Sequence, residues 1–485
     1  MAILQLNSGW EIRPYFSVIR FFNSVLVTRP IFLVLLFLAI RLPLQLWGVP
    51  VTMPELKYMV LGERLQEGAA LYRDVFDATG PFAALVFWVI DLLDGRSLFV
   101  YRVLAAILLL SQALNLNFIF NQFQVFAQKT YLPALFYLVA GSFFFDFDIL
   151  SPLLIGQTFI VYSLRYLIVV SKEGSSNQKL FKAGFFIGLA ALSYLPFTFF
   201  LIVAYFGVAF FASNTFRSFL LLLCGFFFAF AVMATYYLYN GALPNFRAFY
   251  LSGEGLFDLD FLIPLAQLAK LLSFFFLLIL AGIFAAASEN QGLVFQQKMQ
   301  QLMFVWFGTA IIMLLASPEI SVYSFIYFLP VLAYFSYYLF KPQRRWWIPE
   351  TAFLVLLALV LGVRYAAPLG LSPFLKLDTT ALELKKDKKY QKIVNGQLLV
   401  LGPDFQYYAY NYSASPYLNW DLAQQDFRNL NTYEAVFRIH TNISKAMPEF
   451  IVDEVNLMPE LLYKLPTVFG RYKPAGAEKL YQLKQ

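Results

Sequence analysis

Residues 51–102 read VTMPELKYMVLGERLQEGAALYRDVFDATGPFAALVFWVIDLLDGRSLFVYR. Glu55, Lys57, Glu63, Arg64, Glu67, Arg73, Asp74 and Asp77 lie here between two hydrophobic segments. A loop this charged at a membrane face can hold both an acidic reaction centre and an anionic lipid head. The rest of the chain has to be read around that interruption.

The 485 residues are 60% hydrophobic and 19% aromatic, with a mean hydropathy of +0.65. Soluble domains sit near half apolar, and apolar runs of ~20 residues recur here, enough to cross a ~30 Å hydrocarbon core. The chain reads as a polytopic α-helical membrane protein. Its first run begins near Pro30 with no small-residue cleavage site after it, which reads as an uncleaved anchor. The net charge of +7 fits the basic cytoplasmic loops of membrane proteins better than nucleic-acid binding. No basic stripe with interleaved aromatics is present. Cys224 and His440 are single copies of their types. With His440 in the C-terminal polar region, this excludes an internal disulfide, a zinc cluster, a two-histidine metal site and a histidine-based triad. Acid–base chemistry then rests on carboxylates.

Basic loops set the orientation. Arg13, Arg20 and Arg29 precede the first span, and Lys172, Lys179, Lys182, Arg217, Lys298, Lys341, Arg344 and Arg345 fall in later breaks. With all of them cytoplasmic, spans run near 30–48, 97–122, 130–146, 150–171, 183–197, 198–213, 218–239, 261–287, 301–317, 321–340 and 349–367, about eleven crossings. Pro196 splits the run from Lys182 to Ala212 into two short spans. Residues 81–95 read as an embedded or surface-lying helix closing a first outer loop over 49–96. Residues 1–29 form a cytoplasmic segment. The acidic positions Glu55 to Asp77, Asp91, Asp94, Asp146, Asp148, Glu254, Asp258 and Asp260 then gather outside the cytoplasm.

From about Pro368 the composition turns polar. Gln397–Leu401, Phe450–Val452 and Leu480–Leu483 read as strands, with helices around Leu422–Phe427 and Pro459–Leu465. Residues 369–485 are expected to form a small extracytoplasmic α/β domain. No glycine-rich phosphate fingerprint opens its helices.

Within the loop, Leu56–Gln66 suits a helix at the membrane surface, with Tyr58, Leu61 and Leu65 on one face. Gly68 ends it. Tyr72-Arg73-Asp74 leads to Asp77, and Gly80-Pro81 starts the next apolar helix. Here the sequence resembles the GT-C superfamily of membrane glycosyltransferases, in particular its protein mannosyltransferase and aminoarabinose transferase branch. Those proteins open a large outer loop with Asp-Glu, followed by a pattern like Y-x-A-x-x-L-x-x-G-x-x-x-Y-x-D, then Lys-Pro-Pro-Leu, and a helix ending in Phe-Gly-x-Ser and Arg-Leu. Pro54-Glu55 stands at the opening; Tyr58, Gly68, Tyr72 and Asp74 follow the pattern. Thr79-Gly80-Pro81-Phe82 is similar to Lys-Pro-Pro-Leu, and Asp94-Gly95-Arg96-Ser97 with Arg102-Val103 to the end. Gly188 to Pro196 is similar to another recurrent segment. The resemblance covers roughly residues 30–240. Pro54 replaces the family's catalytic aspartate, and Thr79 the lysine implicated in lipid-phosphate contact.

The resemblance implies a GT-C-like core over residues 30–368. It also implies transfer of a sugar from a polyprenyl-phosphate carrier to an acceptor hydroxyl at the outer face, with a lipid-linked sugar and membrane lipid as partners. Such a reaction needs a carboxylate base, cations on the departing phosphate and an apolar groove. Glu55 is then the base or a solvated loop carboxylate, assisted by Asp74 or Asp148. Asp146 and Asp148 flank Phe147 and are either a second acidic site or helix-end charges. Arg73, Arg96, Arg102 and Lys270 are candidates for phosphate contact, with Tyr72 beside them in substrate binding. Arg41 and Arg102 lie inside spans and snorkel or do chemistry, and Asp91 pairs with Arg96 or Arg102. The Phe143–Phe145 and Phe226–Phe228 runs line a prenyl groove or pack in the core and against lipid. No metal ligand set is named, and metal dependence stays open. The changes at Pro54 and Thr79 leave an alternative: a non-catalytic scaffold or assembly subunit of a cell-envelope complex, docking a protein partner through its C-terminal domain.

Overall fold

The computed structural model describes residues 17–26, 28–173, 177–212, 215–252, 256–257, 259–289, 293–342, 345, 347–366, 369–370, 382–385, 387–475 and 479–484. Arg13, Glu254, Asp258, Arg344, the side chain of Lys172 and the boundary at 368/369 lie outside them. The helices are α1 (Val18–Phe22), α2 (Thr28–Leu46), α3 (Met53–Gln66), α4 (Pro81–Asp94), α5 (Leu98–Phe123), α6 (Leu132–Ala140), α7 (Pro152–Glu173), α8 (Asn177–Ser193), α9 (Leu201–Phe211), α10 (Thr215–Tyr239), α11 (Leu243–Phe246), α12 (Leu265–Ala287), α13 (Val294–Leu315), α14 (Leu329–Phe340) and α15 (Trp347–Arg364).

Helical segments occupy all eleven ranges expected to cross. Among the described residues, seven helices are long and apolar enough to span a membrane, and Pro152–Ile168 and Leu195–Phe211 are shorter apolar helices. The chain is a polytopic helical membrane protein. The run breaks at Pro196 as expected: α8 stops at Ser193, Tyr194 is extended, and Pro196, which has no N–H to continue α8, sits in the first turn of a 3-10 segment (Leu195–Phe200) leading into α9.

The helices run alternately between two ends. One end is basic, holding Arg20, Arg29, Lys179, Lys182, Arg217, Lys298 and Lys341. It is tied by Ser17 to Glu350 (2.7 Å), by the Tyr131 amide to the Phe22 carbonyl (2.8 Å), and by the Lys341–Glu289 pair. The other end is acidic and carries α3, α4 and the C-terminal residues.

That acidic end is built by local rules. Thr52 caps α3 in a capping box with Glu55, and Pro54 sits in the first turn, where its missing N–H costs nothing. Gly68, at φ +94°, takes the chain out of the helix. Gly62 lets α3 lie against α4: an added Cβ would stand 2.8 Å from the Phe87 carbonyl oxygen. Tyr58 stacks on Phe87 with ring centroids 4.8 Å apart.

The C-terminal residues form a mixed sheet in the order β4-β3-β5-β7-β6. The strands are β3 (Gln397–Leu401), β4 (Tyr412–Ser413), β5 (Phe450–Asp453), β6 (Tyr472–Pro474) and β7 (Leu480–Leu483). β3 is parallel to β4 and β5, and β7 is antiparallel to β5 and β6. Leu399, Leu401 and Ile451 face the helices Trp420–Phe427, Tyr433–Lys445 and Met458–Lys464. Leu398, Val400 and Val452 join the core of the helical bundle. Two short strands nearer the bundle, β1 (Asp260–Phe261) and β2 (Glu319–Ile320), pair in parallel.

The first loop staples this sheet domain down. Phe76 enters its core, donates its amide to the Pro416 carbonyl (2.7 Å) and accepts from the Asn419 amide (3.2 Å). Met53 and Val51 bond to Leu382 and Leu384 at 2.8 and 3.1 Å.

Candidate active site

Two carboxylates at the acidic end are buried and paired with arginines. Glu55 is 1% exposed. It accepts from the Thr52 amide and hydroxyl (both 2.9 Å) and from Arg102 Nε (2.8 Å) and Nη2 (3.0 Å). Arg102 also donates to the Val49 and Pro50 carbonyls and lies 4.8 Å from the Phe145 ring. Asp148 is 0% exposed. It pairs with Arg41 from α2 at 3.0 Å and with Arg364 from α15. Arg41 donates to the Gly141 carbonyl (2.7 Å) and Arg364 to the Ser142 carbonyl (3.1 Å), so both guanidiniums also close the end of α6. Arg41 is thus an internal partner at 1% exposure, not a snorkelling cation.

The other named residues have defined places. Arg96 bonds Glu63 and the carbonyls of Tyr408 (2.8 Å) and Asn411 (3.0 Å), clamping the sheet domain to α3. Asp91 therefore pairs with neither expected arginine: Arg96 goes to Glu63 and Arg102 to Glu55. Arg73 is half exposed and pairs with its neighbour Asp74 at 2.7 Å; Asp74 also accepts from the Ala70 amide. Burial would raise the Asp74 carboxyl, but the Arg73 hydrogen bond and the Ala70 amide hold it below the usual range. Tyr72 is buried in a left-handed conformation, φ +68°, against Tyr237, Phe246 and Tyr250, and donates to the Thr79 carbonyl (2.7 Å). It builds the loop. Lys270 is exposed five residues into α12, whose start is tied through β1 to Glu319. Phe143 and Phe144 pack on Phe275, whereas Phe227 and Phe228 are exposed on the flank.

A second set of charges lines the seam between α3, β2 and the sheet domain. Lys57 pairs with Glu319 at 3.1 Å, with side chains 41% and 37% exposed. Lys57 and Asp77 share a cleft with Pro403, Phe405, Trp420 and Asp421. Burial opposes the Lys57 charge, but Glu319, Asp77 and Asp421 outweigh it and keep the ammonium above its usual range. Asp77 accepts from the Thr79 amide (2.7 Å), and burial raises its carboxyl. Tyr58 hydrogen-bonds Tyr323, and its phenol is pushed up by burial, so it stays a neutral hydroxyl.

Asp146 completes the set. It follows Phe145, the ring lying on Arg102; its backbone carbonyl accepts from the Ile149 amide, but its carboxylate has no hydrogen bond or ion pair among the described residues. Burial first, then the like charges of Glu55, Asp148 and Glu383, push its carboxyl up to about 7. An unpartnered carboxyl titrating near neutrality is what proton transfer requires. Among the described residues, no group of three or more His, Cys, Asp or Glu has the arrangement to hold a metal ion.

Lys57, Asp77 and Glu319 were not singled out for chemistry from sequence. Glu319 had a readable signal: Ser317-Pro318-Glu319 is an acidic break between two apolar runs, at the same end as the first loop.

No family model and no curated protein matches the chain. Among solved structures it is similar to the oligosaccharyltransferase of Archaeoglobus fulgidus. Against AglB in complex with an inhibitory peptide and a dolichol-phosphate, identity is 13% over 94% of this chain and 73% of that one, with a TM-score of 0.47. Against the apo form, the values are 14%, 91%, 72% and 0.46. Against the form tethered to an acceptor peptide containing the NVT sequon, they are 12%, 91%, 70% and 0.46.

Proposed function

We propose that the protein is a membrane glycosyltransferase that moves a sugar from a polyprenyl-phosphate carrier to an acceptor hydroxyl. The reaction takes place at the acidic end, with Asp146 as general base. The observation carrying this is the contrast in the loop Phe145–Asp148: the Asp148 carboxylate is paired with two arginines, while the Asp146 carboxylate has no partner, and burial and neighbouring acids push it up to about 7. The sequence resemblance over residues 30–240 points to the same reaction class. The acceptor oxygen attacks the anomeric carbon and passes its proton to Asp146 as the new C–O bond forms. The carbon–phosphate-oxygen bond breaks, and the polyprenyl phosphate leaves with the electron pair. Lys57 is the protonated group in the seam that can meet the departing phosphate, and Lys270 can anchor it from the bilayer side. Glu319 and Asp77 hold Lys57 and accept hydrogen bonds from sugar hydroxyls. This moves the base from Glu55, whose oxygens already accept from Thr52 and Arg102. The basic end is cytoplasmic under the positive-inside rule, so the seam opens extracytoplasmically, toward the periplasm if the membrane is a bacterial inner one.

The test is transfer in membrane vesicles supplied with a lipid-linked sugar and an acceptor. Wild type should form product and Asp146→Asn should not; equal rates would remove the base assignment. One observation favours the scaffold reading: Pro54 and Glu55 serve the start of α3, where the resemblance places catalysis. A purified wild type that holds a stable envelope partner, and neither binds nor turns over any lipid-linked sugar, would decide for it.

A further inference from the structure

The sheet domain carries a second cleft, of about 370 Å³, on the side of the sheet away from its helices. Val452 and Leu480 form its floor, Tyr390 and Tyr407 stand in its wall, and Lys389, Lys392 and Lys479 rim it. Ligand pockets begin at about 300 Å³, so the volume suits one or two sugar rings and not a protein surface.

Its rim is basic, and the acids beside it, Asp404 and Glu454, act on Lys389 and Lys479 and not on Lys392. The segment 385–392 holds Lys385, Lys388, Lys389 and Lys392 against Asp387 among its described residues. Lys389 Nζ pairs with Asp404 (3.0 Å) and lies 4.5 Å from the Tyr390 ring centroid. Tyr390 donates to the same carboxylate at 2.6 Å. Lys479 donates to the Glu454 carbonyl (2.9 Å), and the Glu454 carboxylate lies within electrostatic range of both Lys479 and Lys389. Lys392 is exposed and makes no ion pair among the described residues. Lysine ammoniums bind carboxylate, sulfate or phosphate groups as point charges, and an aromatic wall presents a flat face to the C–H side of a sugar ring. A bilayer-docking surface would be convex with protruding apolar tips; here the aromatics are recessed and the lysines stand at the rim.

The cleft also adjoins the transfer seam. The segment from Pro403 to Tyr408 separates them: Tyr407 faces the lysine cleft, while Phe405 and Tyr408 face the cleft of Lys57 and Asp77. A chain seated in one would continue over this segment toward the other.

We propose that this cleft binds an anionic sugar unit of the acceptor, a saccharide bearing a carboxylate, sulfate or phosphate, next to the unit that receives the transferred sugar. Its use as an acceptor site rests on the transferase reading; the binding itself does not.

The test uses the full-length protein in phosphatidylcholine nanodiscs, titrated calorimetrically with trigalacturonate or the neutral maltotriose. Wild type should bind trigalacturonate at least tenfold more tightly, with affinity falling as salt rises. Lys392→Gln/Lys479→Gln should lose at least tenfold, Tyr407→Ala should weaken both ligands, and Arg428→Gln, on the far side of the domain, should bind as wild type. Equal binding of the two saccharides, or unchanged affinity in the double variant, overturns the proposal. So does a double variant that keeps saccharide affinity but no longer retains phosphatidylglycerol in mixed nanodiscs, which makes the cleft a lipid-headgroup site. Asp146→Asn separates the two readings, since it should abolish transfer and leave trigalacturonate binding intact.

Discussion

Asp146 and Asp148 belong to the same short turn and differ in every respect that governs a carboxylate. Asp148 is 0% exposed between Arg41 and Arg364, two cations brought from opposite ends of the chain's membrane region. Asp146 has no cation and three like charges within range. Glu55 belongs with Asp148: Arg102 and the Thr52 cap occupy its oxygens. A buried charge held by good partners fixes geometry, and removing one partner leaves the other stranded. A charge without partners stays available to a proton. Proximity in sequence therefore says little about role at this end of the molecule, and the arginines decide it.

That division can be broken at Asp148 first. Asp148→Asn strands two buried guanidiniums and should cost about 3–5 kcal/mol, read as a large fall in melting temperature in detergent or as loss of folded protein. A melting temperature within error of wild type would mean the arginines do not depend on it. Asp146→Asn should do the reverse, lowering transfer ~10²–10⁴-fold with the fold intact. The sign for stability follows from the raised carboxyl. The native state holds a proton to about 7 that the unfolded chain releases near its ordinary value of about 4. Wild-type stability therefore falls as pH rises from about 4 to about 7 through this group, because the native state binds more protons there. The variant, lacking the charge, should melt no lower than wild type at pH 8. Wild-type transfer should climb with pH through about 7; a flat profile there would point to another base.

The alternation of apolar runs and charged breaks was open to reading because it is local. Each span follows from about 20 consecutive residues, and the three main strands of the sheet from their own short runs. Pro196 and Gly68 act on their immediate neighbours. The partnerships that sort the carboxylates are not local: Glu55 meets Arg102 across 47 residues and Asp148 meets Arg364 across 216. Nothing in one sequence marks such pairs. One local signal was available and unused: Thr52-x-x-Glu55 before an apolar run is a capping box, which ties Glu55 to structure. β4 and β6, of two and three residues, are too short to show a period.

Smaller effects sharpen the same comparison. Arg96→Met removes the clamp on Tyr408, Asn411 and Glu63 and should cost about 1.5–3 kcal/mol, the range for hydrogen bonds to charged groups. Limited proteolysis should then release a C-terminal fragment sooner than from wild type; an unchanged digestion pattern would mean Phe76 and residues 382–384 hold the domain without it. Arg73→Gln breaks an exposed pair with Asp74, worth about 0–1 kcal/mol. It should leave transfer within twofold, and a tenfold loss would return Arg73 to the phosphate.

The staple made by Phe76 has a consequence for biogenesis. Its partners, Pro416 and Asn419, lie some 340 residues downstream. At 5–20 residues per second, the first loop waits on the order of 20–70 s before the ribosome delivers them. During that interval the seam around Lys57 and Asp77 is unroofed, because the sheet-domain residues that line it come later in the chain. A chain that stops short of Pro416 keeps the helices of the bundle and never assembles the roof over the first loop.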